Sequence, residues 1–152
     1  REGKSIALVS DAGTPGISDP GSRLVAYVRE HAPEVSIVPI PGPSALIAAL
    51  SVAGVSTNEF TFLGYPPHKK GRKTFFESVR DIVVRPVVLY ESPHRLQKTL
   101  AGITEAMGED AKLVVAKELT KIHEEIWRGT AKEATNYFQK EKGKGEFVIL
   151  VI

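Results

Sequence analysis

Two loops rich in Gly and Pro carry the clearest chemical signal in the sequence. The first, Asp11–Gly21, follows a short apolar run and leads into a helical pattern. The second, Pro41–Ala45, stands in the same position after the next apolar run. Glycine lets a backbone approach a ligand closely, and proline stiffens a loop. Because ligands of open α/β sheets lie beyond the carboxyl ends of the strands, the loops predict a shared pocket. A rigid turn without a ligand is the alternative for either loop alone.

No familiar phosphate or nucleophile motif fits these loops. Gly16–Ser22 has the spacing of a P-loop, but Ser22 stands where Lys is required and Arg23 where Ser or Thr is required. Ser44 lacks the glycine pattern that surrounds an esterase nucleophile. The four His residues lack metal-ligand spacing and the chain contains no Cys, so we expect no metal site, disulfide or thiol nucleophile. With these motifs excluded, the loops predict a nucleotide-like ligand that is held mainly by backbone groups.

Polar and basic clusters follow apolar runs in the second half of the chain. Glu91–Arg95 and Lys117–Glu125 each come directly after such a run. They either contact a ligand or form the exposed end of a strand, and spacing alone favours the exposed end. His68–Lys73 and Lys140–Lys144 are basic runs that suit an anionic partner, with a solvated surface as the alternative.

The elements that must position these groups alternate between strands and helices. Apolar runs predict strands at Ile6–Val9, Val35–Ile40, Phe60–Leu63, Val87–Tyr90, Leu113–Ala116 and Phe147–Ile152, with Glu124–Arg128 as a weaker candidate. Helical spacing, caps and glycine stops predict helices near residues 20–28, 45–53, 75–82, 92–107 and 130–138. Thr130–Glu133 matches a capping box. This alternation indicates an α/β fold with an at least partly parallel sheet.

Composition excludes several classes of protein. The 152 residues are 42% apolar and 25% charged, which suits one domain or two small ones and excludes a disordered or collagen-like chain. The net charge of +2 is weaker than a typical nucleic-acid-binding module shows, so an anionic partner must be met by a local patch. No apolar run reaches the roughly 18 residues of a membrane-spanning helix, and we expect neither a membrane segment nor a signal peptide.

Five segments of the chain together form a specific signature. In chain order they are Ser10–Gly21, Pro41–Ala45, Phe62–Pro67, Glu91–Arg95 and Lys117–Lys121. Taken together they resemble the tetrapyrrole methylase superfamily, and within it the branch that methylates ribosomal RNA. The resemblance runs the whole length of the chain. Thr14 stands where porphyrin and corrin methylases usually have Asp, which favours the RNA branch.

The resemblance implies two α/β domains of tetrapyrrole-methylase type, the first only partly present. Residues 1–58 would be the C-terminal part of the donor-binding domain, and residues 59–152 the second domain. The family has a further strand and loop before the position of Arg1, so the chain resembles a truncated member.

The activity that the resemblance implies is transfer of a methyl group from S-adenosylmethionine. The acceptor would be the ribose 2′-hydroxyl of a cytidine in 16S rRNA, and the enzyme a cytoplasmic homodimer that contacts the small ribosomal subunit. A porphyrin or corrin methylase with the same donor is one alternative. A truncated, non-catalytic RNA-binding or dimerisation fragment is the other.

The resemblance also implies roles for individual residues. The family's donor-binding loops match Gly13, Thr14, Pro15, Gly16, Ile17, Pro41, Ser44 and Ala45. A polyanionic substrate would be contacted by Lys69, Lys70, Arg72, Lys73 and Arg95. A ribose hydroxyl is a poor nucleophile and needs a base or an electrostatic partner. Glu91, Lys117 and Glu118 are the candidates because they follow apolar strands, and the sequence does not choose among them.

Overall fold

The computed structural model describes residues 3–140 and 145–152. The chain divides into two compact units, Arg1–Ala45 and Leu46–Ile152. The sequence places a domain boundary further along, after residue 58. The two divisions differ by one helix, which begins at Ala45 and packs its apolar residues with the second unit. The assignment of 1–58 and 59–152 as separate domains stays a prediction.

The second unit is built on a sheet that has five strands among the described residues. They are β1 (Thr61–Gly64), β2 (Val87–Glu91), β3 (Lys112–Lys117), β4 (Glu125–Thr130) and β5 (Phe147–Val151), in the order β1-β2-β5-β3-β4. The β1–β2 pair is parallel, and the pairs β2–β5, β5–β3 and β3–β4 are antiparallel. The predicted strands of this part of the chain, the weaker one included, are confirmed.

Helices cover both faces of the sheet. They are α2 (Ala45–Val52), α3 (Arg72–Asp81), α4 (Leu96–Met107) and α5 (Ala131–Tyr137), with α5 followed by a short 3₁₀ helix, Phe138–Lys140. Because side chains alternate along a strand, Ile149 of the central strand β5 packs with α3, α4 and α5, whereas Leu150 packs with α2. Both side chains are fully buried. The predicted α/β fold is confirmed, although most strand pairs are antiparallel.

The start of α5 shows the predicted capping box. The Glu133 N–H donates to Thr130 Oγ1 at 3.2 Å, and the Thr130 N–H donates to Glu133 Oε2 at 2.8 Å. Two backbone donors that the helix cannot satisfy by itself are therefore satisfied by side chains. No helix in the described residues is long and apolar enough to cross a membrane.

The first unit contains one helix, α1 (Gly21–His31), among its described residues. The strands predicted at Ile6–Val9 and Val35–Ile40 are wrong, since neither segment forms a strand. A strand needs a hydrogen-bonded neighbour, and no described residue forms a strand ladder with these segments. Their apolar side chains are correspondingly exposed, Ile6 to 88% and Ile40 to 78%.

Truncation of the central strand tests this packing. Ile149→Ala removes a fully buried side chain and should lower the free energy of unfolding by about 2–5 kcal/mol. Val83→Ala, at a position that is 90% exposed, is the control and should change it by no more than about 0.5 kcal/mol. Urea denaturation at equilibrium measures both, and similar losses in the two variants would contradict the assigned core.

The capping box predicts a dependence of stability on pH. The hydrogen bond from the Thr130 backbone, followed by that with its side chain, holds the pKa of Glu133 below its ordinary value. The stabilising effect of this carboxylate is therefore present above the ordinary pKa of Glu and is lost as the pH falls through the lowered, folded-state value.

Glu133→Gln keeps a capping side chain without the titration, and Glu105→Gln on α4 is the control. The stability lost in Glu133→Gln should be largest at neutral pH and shrink towards pH 3, measured by urea denaturation at each pH. A loss that stays constant over this range would contradict the lowered pKa.

Candidate functional site

The two Gly/Pro loops meet within the first unit. The hydroxyl of Thr14 donates to the carbonyl oxygen of Pro43 at 3.1 Å. Gly13 has φ +70°, and a Cβ there would lie 3.8 Å from the same oxygen. Because residues with a side chain rarely adopt this backbone conformation, Gly13 suits the close approach of the loops. This is the proximity that the sequence pattern requires for a shared pocket.

Side chains of the first loop hold its backbone in place. The Asp19 carboxylate accepts hydrogen bonds from the N–H of Gly16 at 3.2 Å and of Gly21 at 2.8 Å. Ser10 Oγ donates to the carbonyl oxygen of Gly13 at 2.9 Å. Asp19 therefore orders the loop that leads into α1.

The residues expected to bind a methyl donor belong to these two loops. Thr14, Pro15, Gly16 and Ser44 are half-buried, whereas Gly13, Ile17, Pro41 and Ala45 are exposed. The Ile17 N–H donates to the Thr14 carbonyl at 3.3 Å. The loops therefore offer backbone groups, two hydroxyls and an apolar side chain.

The three candidate bases lie at one edge of the sheet in the second unit. Phe147, the first residue of β5, is paired with Glu91 of β2 on one side and with Lys117 of β3 on the other. Glu118 follows directly after β3. The sequence predicted that these residues end strands, and the topology places those ends together.

Glu91 is a buried carboxylate at the centre of a polar network. Its side chain has no exposed surface. Oε1 accepts a hydrogen bond from the Ser92 N–H at 2.8 Å and lies 3.3 Å from Arg95 Nε. Oε2 accepts a hydrogen bond from Thr99 Oγ1 at 2.5 Å and lies 4.0 Å from Arg72 Nη2. A buried charge is tolerated only when it is compensated in this way.

Arg72 and Arg95 were expected to contact substrate, and both side chains are directed into this network. Arg72 Nη1 donates to the Pro67 carbonyl at 2.8 Å, and Arg95 Nη2 donates to the Pro66 carbonyl. Burial lowers the pKa of Arg72, while Glu91 opposes that shift. The two arginines thus fix the loop that precedes α3.

The other expected substrate contacts differ from the arginines, because Lys69, Lys70 and Lys73 are exposed. Lys69 and Lys70 extend the loop that the arginines fix, and Lys73 lies in the first turn of α3. The side chains of the second basic run, 140–144, lie outside the described residues.

Glu118 belongs to a tight loop after β3. Its carboxylate accepts hydrogen bonds from Lys121 Nζ at 3.0 Å and from the Glu146 N–H at 2.8 Å. These bonds, that from Lys121 first, lower the pKa of Glu118. Glu118 and Thr120 have φ values of +49° and +65°, which are strained for residues other than glycine. Lys117, beside this loop, is half-buried.

An aromatic cluster that the sequence reasoning missed lies at the carboxyl ends of β1 and β2. The ring centroids of Tyr65 and Tyr90 are 5.7 Å apart, and those of Phe62 and Tyr90 are 4.9 Å apart. Burial is the largest of the causes that raise the pKa of Tyr65. The signal in the sequence was an aromatic residue at the end of one apolar run, Tyr90, and another shortly after a second run, Tyr65.

Metal binding has no support in the described part of the chain. No group of three or more His, Asp or Glu residues there is placed to hold a metal ion.

Comparison with curated proteins finds similarity along almost the whole chain. Ribosomal RNA small subunit methyltransferase I of Synechocystis sp. is 47% identical over 150 residues, which cover 98% of this chain and 53% of that protein. Other relatives with the same description, from Thermotoga maritima, Mesorhizobium japonicum and Halalkalibacterium halodurans, are 40–43% identical. The chain spans from 50% to 66% of the length of these relatives.

Solved structures show the same fold at low sequence identity. The methyltransferase CobJ matches with a TM-score of 0.63 and 20% identity, over 91% of this chain and 61% of CobJ. Uroporphyrin-III C-methyl transferase from Thermus thermophilus, complexed with S-adenyl homocysteine, matches with a TM-score of 0.60 and 15% identity, over 91% of this chain and 62% of that one.

A family-level match agrees with both comparisons. The model of the tetrapyrrole (corrin/porphyrin) methylases matches residues 1–135, which confirms the resemblance seen in the five motifs. The chain therefore belongs to the tetrapyrrole (corrin/porphyrin) methylase family.

Proposed function

We propose that the protein is an S-adenosylmethionine-dependent methyltransferase that modifies ribosomal RNA. Its acceptor is the ribose 2′-hydroxyl of a cytidine in 16S rRNA. The observation that carries this proposal is the 40–47% identity, over 98–99% of the chain, to ribosomal RNA small subunit methyltransferases. From the same likeness we propose that it works in the cytoplasm, as a homodimer, on the small ribosomal subunit.

The donor site in this proposal consists of the two loops of the first unit. The contact between Thr14 and Pro43 holds the loops together, and Asp19 holds the first loop in shape. The residues that bind the donor are Gly13, Thr14, Pro15, Gly16, Ile17, Pro41, Ser44 and Ala45. Bound S-adenosylmethionine supplies a methyl group activated by its sulfonium charge, so the task of the loops is positioning.

The three candidate bases have different roles in this proposal. Glu91 is enclosed by its partners and acts as a positioning residue for the arginines. The lowered pKa of Glu118 makes its carboxylate a weak base. Lys117 is the remaining candidate, as the electrostatic partner of the reaction and not as its base. Its ammonium group would stabilise the negative charge that develops on the ribose oxygen while the hydroxyl proton passes to water.

The substrate patch consists of Lys69, Lys70 and Lys73, whose side chains are exposed. Arg72 and Arg95 contribute by fixing the loop that carries the first two lysines. This patch and Thr14 favour RNA over a porphyrin or corrin, the substrate class that the solved relatives suggest.

Donor binding tests the two loops. S-adenosylmethionine titrated calorimetrically into the protein should bind with one-to-one stoichiometry. Gly13→Val places a β-branched residue at φ +70°, a conformation that such residues strongly disfavour, and should weaken binding at least about ten-fold.

Gly108→Val is the matched control, because Gly108 also has a positive φ, of +91°, but no atom within 4 Å of an added Cβ. It lies in the second unit, after α4, and should leave the affinity unchanged. Equal effects of the two substitutions would contradict a donor site at the loops.

Salt dependence of RNA binding tests the lysine patch. Replacing Lys69 and Lys70 together with Ala should reduce the slope of log affinity against log salt by about 1.4, since each neutralised phosphate contributes about 0.7 on single strands. The control replaces Lys112 and Lys132 with Ala, which removes the same charge. Lys112 is the first residue of β3. It therefore lies at the end of the sheet opposite to the carboxyl ends of β1 and β2, where the loop with Lys69 and Lys70 starts. An equal slope change in the control would contradict the assignment.

A further inference from the structure

The Tyr65 side chain presents an aromatic surface beside the lysine patch. Tyr65 follows β1 directly and is 53% exposed. Lys69 and Lys70, also exposed, come a few residues later in the same loop. The loop starts at the carboxyl end of the parallel β1–β2 pair, where ligands of α/β proteins lie. An exposed ring and two free-standing positive charges therefore share one loop at the ligand-binding edge.

The backbone on both sides of Tyr65 is fixed. The β1–β2 register shifts between Phe62 and Gly64, and such bulges redirect the side chains that follow. Gly64 has φ +65°, a value that a side chain would disfavour. On the other side Pro66 is buried, and its carbonyl accepts a hydrogen bond from Arg95. The loop therefore holds Tyr65 in place before any ligand arrives.

The Tyr65 ring packs against a second aromatic side chain, that of Tyr90. Tyr90 meets it edge to face, with an angle of 63° between the rings. Tyr90 Oη accepts a hydrogen bond from the Leu46 N–H at 3.0 Å, and Leu46 follows directly after the proposed donor loop, Pro41–Ala45. The Tyr65 phenol is uncharged at neutral pH, since burial raises its pKa from an ordinary value that is already 10.0, so the ring does not repel phosphates.

We propose that Tyr65 is a stacking platform for an unpaired nucleobase of the RNA substrate, with Lys69 and Lys70 on the flanking phosphates. Proteins that read RNA stack unpaired bases on aromatic side chains, and basic grooves next to such rings follow the backbone. A ring that is held before binding loses little conformational entropy on stacking. This inference rests on the proposed RNA substrate.

Affinity for a single-stranded oligoribonucleotide tests the platform. The probe is an oligocytidine that contains one 2-aminopurine, whose fluorescence falls when it stacks on an aromatic ring. Tyr65→Leu should weaken binding about ten-fold, which lies within the range measured for base–aromatic stacking, and abolish the quenching. Tyr65→Phe should bind within about two-fold of the wild type. Neither variant changes the charge of the patch, so the salt slope should stay unchanged.

Tyr137→Leu is the matched control, because Tyr137 is also 53% exposed but lies at the end of α5. It should bind the oligonucleotide as the wild type does. If Tyr65→Leu matches Tyr65→Phe while RNA binding still depends on Lys69 and Lys70, the stacking role is wrong and the proposed function stands. If the wild type has no affinity for the oligonucleotide, the stacking role is overturned, whereas the proposed methyltransferase function is decided by the donor titration.

Discussion

The buried carboxylate of Glu91 is the constraint on which the second unit depends. Removing a carboxylate from water costs several kcal/mol unless partners compensate the charge. Here the partners come from the segments that follow β1 and β2, since Arg72 begins α3 while Arg95 and Thr99 belong to the start of α4. The charge is compensated only when β2, α3 and α4 are assembled in one arrangement. The remaining donors of the two arginines bind the carbonyls of Pro66 and Pro67 and so fix the loop that precedes α3.

Arginine and lysine consequently have separate tasks among the basic residues that the sequence predicts as substrate contacts. A guanidinium group has several donors in a fixed plane, which suits Arg72 and Arg95 to bind a carboxylate and a carbonyl at once. An ammonium group is a compact, strongly hydrated charge, which suits Lys69 and Lys70 to meet phosphates at the surface. The half-buried arginines order the loop, and in the proposed function the exposed lysines use that order.

Local patterns were predicted from the sequence more successfully than pairings. The capping box at Thr130 depends on four consecutive residues, and the buried strands of the second unit have pronounced apolar runs. The segment 35–40 has a similar run, yet it forms no strand and no described residue is a ladder partner for it, so the apolar pattern alone predicted this strand wrongly. The burial of Glu91 and the position of Tyr65 depend on contacts between distant segments, which spacing along the chain does not reveal.

In the proposed reaction, positioning of the reactants contributes more than reactive side chains do. A sulfonium donor carries its own activation, so most of the rate enhancement that a protein adds comes from holding donor and acceptor in line. In the first unit Thr14 and Asp19 fix the loops of the proposed donor site. In the second, Arg72 and Arg95, which Glu91 holds, fix the loop that carries Tyr65. Each unit thus uses a side-chain hydrogen bond to a backbone group, or a network of them, to hold a loop rigid. A site of this kind needs few reactive side chains, which explains why spacing alone did not identify a catalytic base.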